Sequence, residues 1–470
     1  MRRAPLYLAI DQGGHASRAL VFNGAGEELA SSFAPLDTRR PDDGRVEQDP
    51  EQLLASVRAA AGDAIAAVGG AACIAAAGLA TQRSSIVCWD RRTGEPLSPV
   101  ISWQDRRNAS WLRRQSLDPV RLREITGLVA SPHYGASKLR WCLDHLQEVR
   151  SALEADVLAA GPVASYLLCR LLEECPLLVD PANASRTLLW DYRARDWSPP
   201  LLEQFGIPRR VLPDCVGNRY AFGTLESHGI PCEICTGDQS AVPFAFGAPD
   251  PTIAYANLGT GAFVQRLIRR PPDAPHGLLV SVGWQAGDET MYLLEGTVNG
   301  AGSALDVMQQ DTIANFACVP GAQPPLFLNG IGGLGSPYWL PDFASRFVGN
   351  GDAAARLQAV VESVAFLLQE NLAMMRDLAG PLAAVVVTGG LAARDGLCQA
   401  IADVSVLPVL RPGVREATAR GLAWLVADRP AGWDVAMQRF GPEPDAPVRS
   451  RFVRWREAMA AAGAIPRRES

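Results

Sequence analysis

Leu6-Tyr-Leu-Ala-Ile-Asp-Gln-Gly-Gly-His-Ala-Ser-Arg-Ala-Leu-Val-Phe22 reads as strand, turn, strand. Apolar residues run from Leu6 to Ile10, Asp11-Gln-Gly-Gly14 makes a tight polar turn, and Arg18 to Phe22 is apolar again. Asn23-Gly-Ala-Gly26 then turns into a third strand near Leu29. Asp49-Pro-Glu-Gln52 is a helix start: an Asp cap, proline at the first helical position, and Gln three residues after the cap. Leu53, Leu54, Val57, Ala61, Ile65 and Val68 keep helical period behind it, and Ile74 to Leu79 follows as a core strand. The opening recurs halfway along. Thr252 to Leu258 is a strand, Gly259-Thr-Gly261 a turn, and Phe263 to Ile268 a strand, after a boundary at Gly247-Ala-Pro-Asp-Pro251. A long helix from about Asp352 to Leu378 leads to a strand, Leu382 to Val387, and the turn Thr388-Gly-Gly390. Two halves opening alike predict a duplicated α/β architecture, with the cleft between them as the natural ligand site.

Length and composition agree. At roughly 150 residues per domain, 470 residues make two or three domains. With 48% hydrophobic and 20% charged residues the chain can bury a large core. Its net charge of -6 is spread out, which argues against nucleic acid as partner. Lysine occurs once, at Lys138, and Gly135-Ala-Ser-Lys138 is no Walker A loop, so P-loop chemistry is excluded. We expect Lys138 to serve packing or a local ion pair. The ten cysteines are scattered, with Cys232 and Cys235 as the close pair. At i, i+3 in a strand these point to opposite faces, and buried free thiols suit a reducing cytoplasm. The charge-free run from Ala64 to Ala80 is broken at Gly69-Gly70 and reads as helix end, turn and buried strand, with no membrane insertion. The short apolar run at the N-terminus is no signal peptide, and the expected location is the cytoplasm.

Three glycine turns each follow a strand: Asp11-Gln-Gly13-Gly14, Gly259-Thr260-Gly261 and Thr388-Gly389-Gly390. Such turns let backbone N–H groups approach phosphate oxygens without lysine. Two acids sit beside strand ends. Asp11 could hold Mg²⁺ through water, and Asp238 could take the proton of an attacking hydroxyl. The alternative for each is an Asx turn capping a strand end.

With these residues the chain resembles the FGGY carbohydrate kinases, and among them the glycerol kinases, from about Leu6 to about Ala427. The resemblance rests on Asp11-Gln-Gly with Ser17-Arg18, Val46-Glu-Gln-Asp-Pro50, Gly78-Leu-Ala-Thr-Gln-Arg83 and Trp103-Gln-Asp-Arg-Arg107. Ser137-Lys-Leu-Arg-Trp141, Asp180-Pro-Ala-Asn-Ala-Ser-Arg-Thr-Leu188, Gly237-Asp-Gln239, Leu294-Glu-Gly296 and Gly333-Leu-Gly-Ser-Pro-Tyr-Trp339 extend it. It implies two duplicated domains of the actin/Hsp70/hexokinase, ribonuclease H-like type with an interdomain cleft. We expect residues 1–248 to carry the acceptor pocket, first phosphate turn and base, 249–430 to bind ATP, and 431–470 to form a helical tail.

Carried over by position, the resemblance makes Asp238 the catalytic base and Asp11 the metal-associated acid. Arg83, Ser84, Trp103, His133, Asp238, Gln239 and Phe263 take the acceptor-pocket positions. Gly13, Gly14, His15, Arg18, Gly259, Thr260, Gly261, Gly389, Gly390 and Asp395 take those for the nucleotide. ATP and Mg²⁺ are the implied cofactors, a small polyol or sugar the substrate, and a homodimer or higher homo-oligomer the protein partner. Departures from the glycerol-kinase pattern sharpen this. Ser84 stands for an acid and His133 for a tyrosine, which points away from glycerol. Gly14 and His15 stand for two threonines, which points to a weakened grip on phosphate. The expected activity is therefore ATP-dependent phosphorylation of a hydroxyl with an altered pocket; the alternative is a catalytically weakened homologue acting as a ligand-binding or regulatory protein.

Overall fold

Alternation of side chains decides which face of each strand is buried against which helix. The computed structural model describes residues 4–306 and 324–467. The chain divides into two units: one of Met1–Ala248, Ser281–Tyr292 and Glu416–Asp434, the other of Pro249–Val280, Leu293–Arg415 and Val435–Ser470.

The first unit opens with β1 (Leu6–Gln12), β2 (Ala16–Asn23) and β3 (Glu28–Pro35), then α1 (Pro50–Ala67) and β4 (Ile74–Thr81). Asp49 caps α1 by accepting from the N–H groups of Glu51 and Gln52, with Pro50 first in the helix. The charge-free run is indeed helix end, turn and strand, and among the described residues no helix is long and apolar enough to cross a membrane. Further on come α2 (Gly135–His145), β5 (Arg219–Leu225) and β6 (Ile230–Gly237). The six strands form one sheet in the order β5-β6-β4-β1-β2-β3. Strands β1, β4 and β6 run parallel, and β2 returns antiparallel to β1. Leu8 and Ile10 of β1, Ala19 and Val21 of β2 and Ala77 and Leu79 of β4 share one apolar cluster with Leu53, Leu54, Val57 and Ile65 of α1. Burying each such large apolar side chain stabilises by about 1.5–3 kcal/mol.

Two expectations change here. Strand β1 runs through Asp11 and Gln12, because both pair with β2 and β4, so the turn starts at Gly13. Cys232 and Cys235 do not point to opposite faces. A bulge between Cys232 and Ile234 inserts one residue in the register, and both thiols enter the same core cluster. They remain free, whereas Cys169 and Cys175 form a disulfide that sequence spacing did not bring out.

The second unit repeats the opening. β7 (Ile253–Leu258) and β8 (Ala262–Ile268) form a hairpin; β9 (Leu279–Ala286) and β10 (Glu289–Val298) follow in the chain, with Ser281–Tyr292 counted to the first unit, and α3 (Ala353–Ala379) leads to β11 (Ala384–Thr388). Strand β11 lies parallel to β7, as β4 does to β1. Then follow α4 (Asp395–Ser405) and β12 (Val409–Pro412), and β13 (Met437–Phe440) pairs antiparallel with β12. The C-terminal stretch, expected to be helical, thus carries an edge strand before its helix, Val448–Ala461.

The segment that returns to the first unit carries α5 (Ala417–Val426). Arg420 anchors this helix by donating to the carbonyls of Ala245 (3.0 Å), Gly26 (2.5 Å) and Trp433 (3.1 Å). Beside it Gly421 lies so close to the preceding turn that a Cβ would stand 2.0 Å from Ala241 O and 3.0 Å from Ala245 N. Glycine to alanine in an open helix stabilises by roughly 0.5–1 kcal/mol. Here the sign should reverse. Gly421→Ala is expected to destabilise by about 1–3 kcal/mol, seen as a lower urea midpoint; an unchanged or raised midpoint would mean that α5 is free to shift.

Candidate active site

Parallel strands end at the same edge of a sheet, so the loops that leave them gather there. Asp11, Ala80 and Thr236 lie in one row across β1, β4 and β6, and Gln12, Thr81 and Gly237 in the next. The chain leaves this row into three loops. One holds Gly13, Gly14 and His15, one Arg83 and Ser84, and one Asp238 and Gln239, which open the short helix Asp238–Ala241.

Buried amides tie the loops together. Gln82 Nε2 donates to Gln12 Oε1 (3.1 Å) and Gln48 Oε1 (2.8 Å), and Gln48 Nε2 donates to the Gly14 carbonyl (2.6 Å). Gln82 Oε1 accepts from Ser85 Oγ (2.9 Å), which in turn accepts from Trp103 N (3.0 Å). All three glutamines are buried, and a buried amide is kept only where partners satisfy it. Sequence reading gave these glutamines no role, because nothing local shows that residues 12, 48 and 82 meet.

The acceptor-pocket candidates of the first unit come together. The Arg83 stem passes over Gly237, where a Cβ would stand 2.4 Å from its Cδ, and Arg83 Nε lies 3.9 Å from Asp238 Oδ1. Asp238 Oδ1 also accepts from Gln239 N (2.7 Å). Burial raises the Asp238 carboxyl above its usual range; Arg83, then hydrogen bonds from Gln239, and last the Arg186 charge pull it back. Nothing in the Asp180–Leu188 sequence marks Arg186 for this role. The ring of His133 packs edge-on against Trp103, centroids 5.6 Å apart. Ser84 is buried with a left-handed backbone (φ 64°), and its hydroxyl makes no hydrogen bond among the described residues. Lys138 is fully buried. Its polar partners are two main-chain carbonyls, and no carboxylate pairs with it among the described residues.

Asp11 and Arg18 face one another across the β1–β2 pair. Arg18 Nε lies 3.5 Å from Glu416 Oε2, and Glu416 occupies the cap position of α5. Asp11 Oδ1 is buried and without a hydrogen bond among the described residues. Burial, and next the Asp238 charge, push the Asp11 carboxyl up to about 7. Gly13 N donates to Ala16 O (2.9 Å), closing the turn, while His15 is exposed.

Gly259–Gly261, Phe263, Gly389, Gly390 and Asp395 belong to the second unit. The pairing of Asn257 with Thr388 sets the turn after β7 beside the turn after β11. Thr260 is exposed, Phe263 lies on β8, and Asp395 opens α4 in an ion pair with Arg411 (2.7 Å).

The N-terminal domain pattern of the FGGY family of carbohydrate kinases matches residues 6–258, and its C-terminal domain pattern residues 254–427. A glycerol kinase of Citrifermentans bemidjiense is 37% identical over 440 residues, 89% of either chain. One of Alkalilimnicola ehrlichii is 36% identical over 486 residues, 97% of this chain and 98% of its own. Among solved structures, Plasmodium falciparum glycerol kinase with ADP superposes with a TM-score of 0.84 at 21% identity, covering 98% of both chains. A ligand-bound xylulose kinase from Lactobacillus acidophilus does so with 0.86 at 19% identity, covering 98% of this chain and 99% of its own.

Withdrawal from water, then the charges of Lys138, Arg186 and Arg83, hold the His133 imidazole well below its ordinary pKa. In a histidine NMR titration from about pH 8 to about pH 5 the His133 ring should stay neutral. A protonation midpoint at the ordinary value near 6.5 would contradict this placement.

Proposed function

The chain belongs to the FGGY family of carbohydrate kinases, phosphotransferases with a hydroxyl acceptor, and from that premise we propose the roles of its residues and the size of its acceptor. The protein phosphorylates one hydroxyl of a small polyol or sugar at the expense of ATP, with Asp238 as general base, and it prefers an acceptor larger than glycerol. The observation that supports this most is the pairing of Arg83 with Asp238 at the end of the parallel strands that also carry Asp11.

The acceptor oxygen attacks the γ-phosphorus, its proton passes to the Asp238 carboxylate, and the bond to the bridging oxygen of ADP breaks. A carboxyl raised by burial is a better base than one in water, and the Arg83 charge favours its ionised form. Arg83 and Gln239 hold acceptor hydroxyls, and the Trp103 face packs a C–H edge. Mg²⁺ suits Asp11: an orphaned carboxylate oxygen with a raised pKa gains from a nearby divalent cation. Bound ATP and Mg²⁺ supply the phosphoryl group and neutralise its charge. Gly13, Gly14, His15 and Arg18 are the candidates for its phosphates in the first unit, and the turns at Gly259–Gly261 and Gly389–Gly390, with Asp395 beyond, those for the nucleotide in the second.

The short Ser84 and its unpartnered hydroxyl favour an acceptor with one more hydroxyl to offer. ADP release should be measured with glycerol, erythritol, xylitol, D-xylulose and D-gluconate. The expected order places glycerol below at least one larger acceptor in kcat/KM; glycerol above all the others would end the size argument. The second reading, a weakened relative that binds or regulates, draws on the turn after Asp11, which carries no hydroxyl until Ser17. Silence from every acceptor with ATP binding retained would favour it.

Asp238→Asn keeps the shape and removes the base, so kcat should fall about 10²- to 10⁴-fold. Arg186→Met removes a cation that favours the carboxylate. The Asp238 pKa then rises, and the acid limb of the pH–rate profile should move to higher pH. Arg83→Met should move it further, Arg83 being the larger influence. A limb that shifts to lower pH in either variant would separate Asp238 from the rate.

A further inference from the structure

Arginine fills every basic position of this chain except residue 138. We propose that Lys138 is a positioning residue for the acceptor pocket, its ammonium clamping the loop of Arg83 and Ser84 to the loop of His133. The inference rests on the kinase reading above.

Lys138 Nζ donates to the Ser84 carbonyl (3.0 Å) and the His133 carbonyl (2.6 Å). Both partners are main chain, so the bonds constrain backbone positions rather than side-chain rotamers. Ser84 needs that constraint. Its left-handed φ of 64° costs a non-glycine residue about 1 kcal/mol or more and persists only where surroundings impose it. The clamp acts on the strained residue itself and lies next to Arg83. On its other side His133 sets its ring against Trp103.

The placement runs against local preference, which argues that position 138 is held for its contacts. Lys138 lies in the first turn of α2, the end of a helix where a cation is disfavoured. The residue is fully buried, and burial pushes its ammonium down to about 7. Asp105 is the nearby acid, yet it is taken by Arg107 and by the Val46 N–H (2.6 Å). A guanidinium would deliver its donors as a flat, wide fork, whereas an ammonium presents compact donors to two converging carbonyls. That difference accounts for a single lysine in a chain that otherwise uses arginine.

Lys138→Met keeps the stem and removes the donors. With xylitol, D-xylulose, D-gluconate and glycerol as acceptors, KM for those turned over should rise about tenfold or more, with KM for ATP within about twofold of the parent. A lowered melting temperature with acceptor KM unchanged would overturn the proposal, leaving Lys138 a part of the fold only. Should the variant not fold, the parent decides. Labelled with nitrogen-15 lysine it offers one ammonium resonance, which should move with a saturating acceptor and stay in place with a non-hydrolysable ATP analogue. A resonance indifferent to every acceptor that is phosphorylated would defeat the clamp. If none of the four is phosphorylated, the kinase reading fails separately. The clamp is then judged on the His133 ring resonances, which Lys138→Met, or neutralisation of the ammonium at high pH, should displace; resonances that stay in place sink it too.

Discussion

Everything at the candidate site depends on the parallel register of β1, β4 and β6. Because Asp11, Ala80 and Thr236 share one row, three loops start from neighbouring points although they are separated by about 70 and 155 positions in the chain. A slip of one residue in any strand would turn its side chains to the opposite face and carry its loop away. The apolar cluster that β1, β2 and β4 share with α1 makes such a slip costly. The glutamines at 12, 48 and 82 add a second constraint above that edge, since each leaves an unsatisfied amide if the loops part.

Electrostatics at this edge follow one rule. Removal from water disfavours charge, so Asp11 and Asp238 rise while Lys138 and His133 fall. Opposite charges then restore part of what burial takes, Arg18 for Asp11 and Arg83 for Asp238. Stability bears the cost at the same residues: Ser84 holds a strained backbone, and Lys138 sits at the wrong end of its helix.

The second unit shows the same plan used again. A hairpin followed much later by a parallel strand occurs as β1, β2 and β4 and again as β7, β8 and β11. The solved kinases that superpose on this chain at about one residue in five identical show how little of the sequence this plan needs. Apolar alternation, small residues at the turns and a helix to cover each face suffice for the fold. The acceptor and the rate are left to the side chains on the loops.

Local chemistry alone determined the strands around Asp11, the capped helix from Pro50, the long helix to Ala379 and the repeat at Ile253–Ile268, because periodicity, caps and turns act within a few residues. Asp11 and Asp238 were legible as candidates for a similar reason: each is a charged residue set where an apolar strand ends; Arg83 was named by the family resemblance instead. Tertiary structure alone decided the rest. The bulge that turns Cys232 and Cys235 to one side, the edge strand Met437–Phe440, the Cys169–Cys175 bond, the approach of Glu416 to Arg18 and the two carbonyls held by Lys138 depend on which segments meet. A sequence displays a hydrogen-bonding group but not its partner. When that partner is 54 residues away, as Ser84 is from Lys138, only the packed fold selects it.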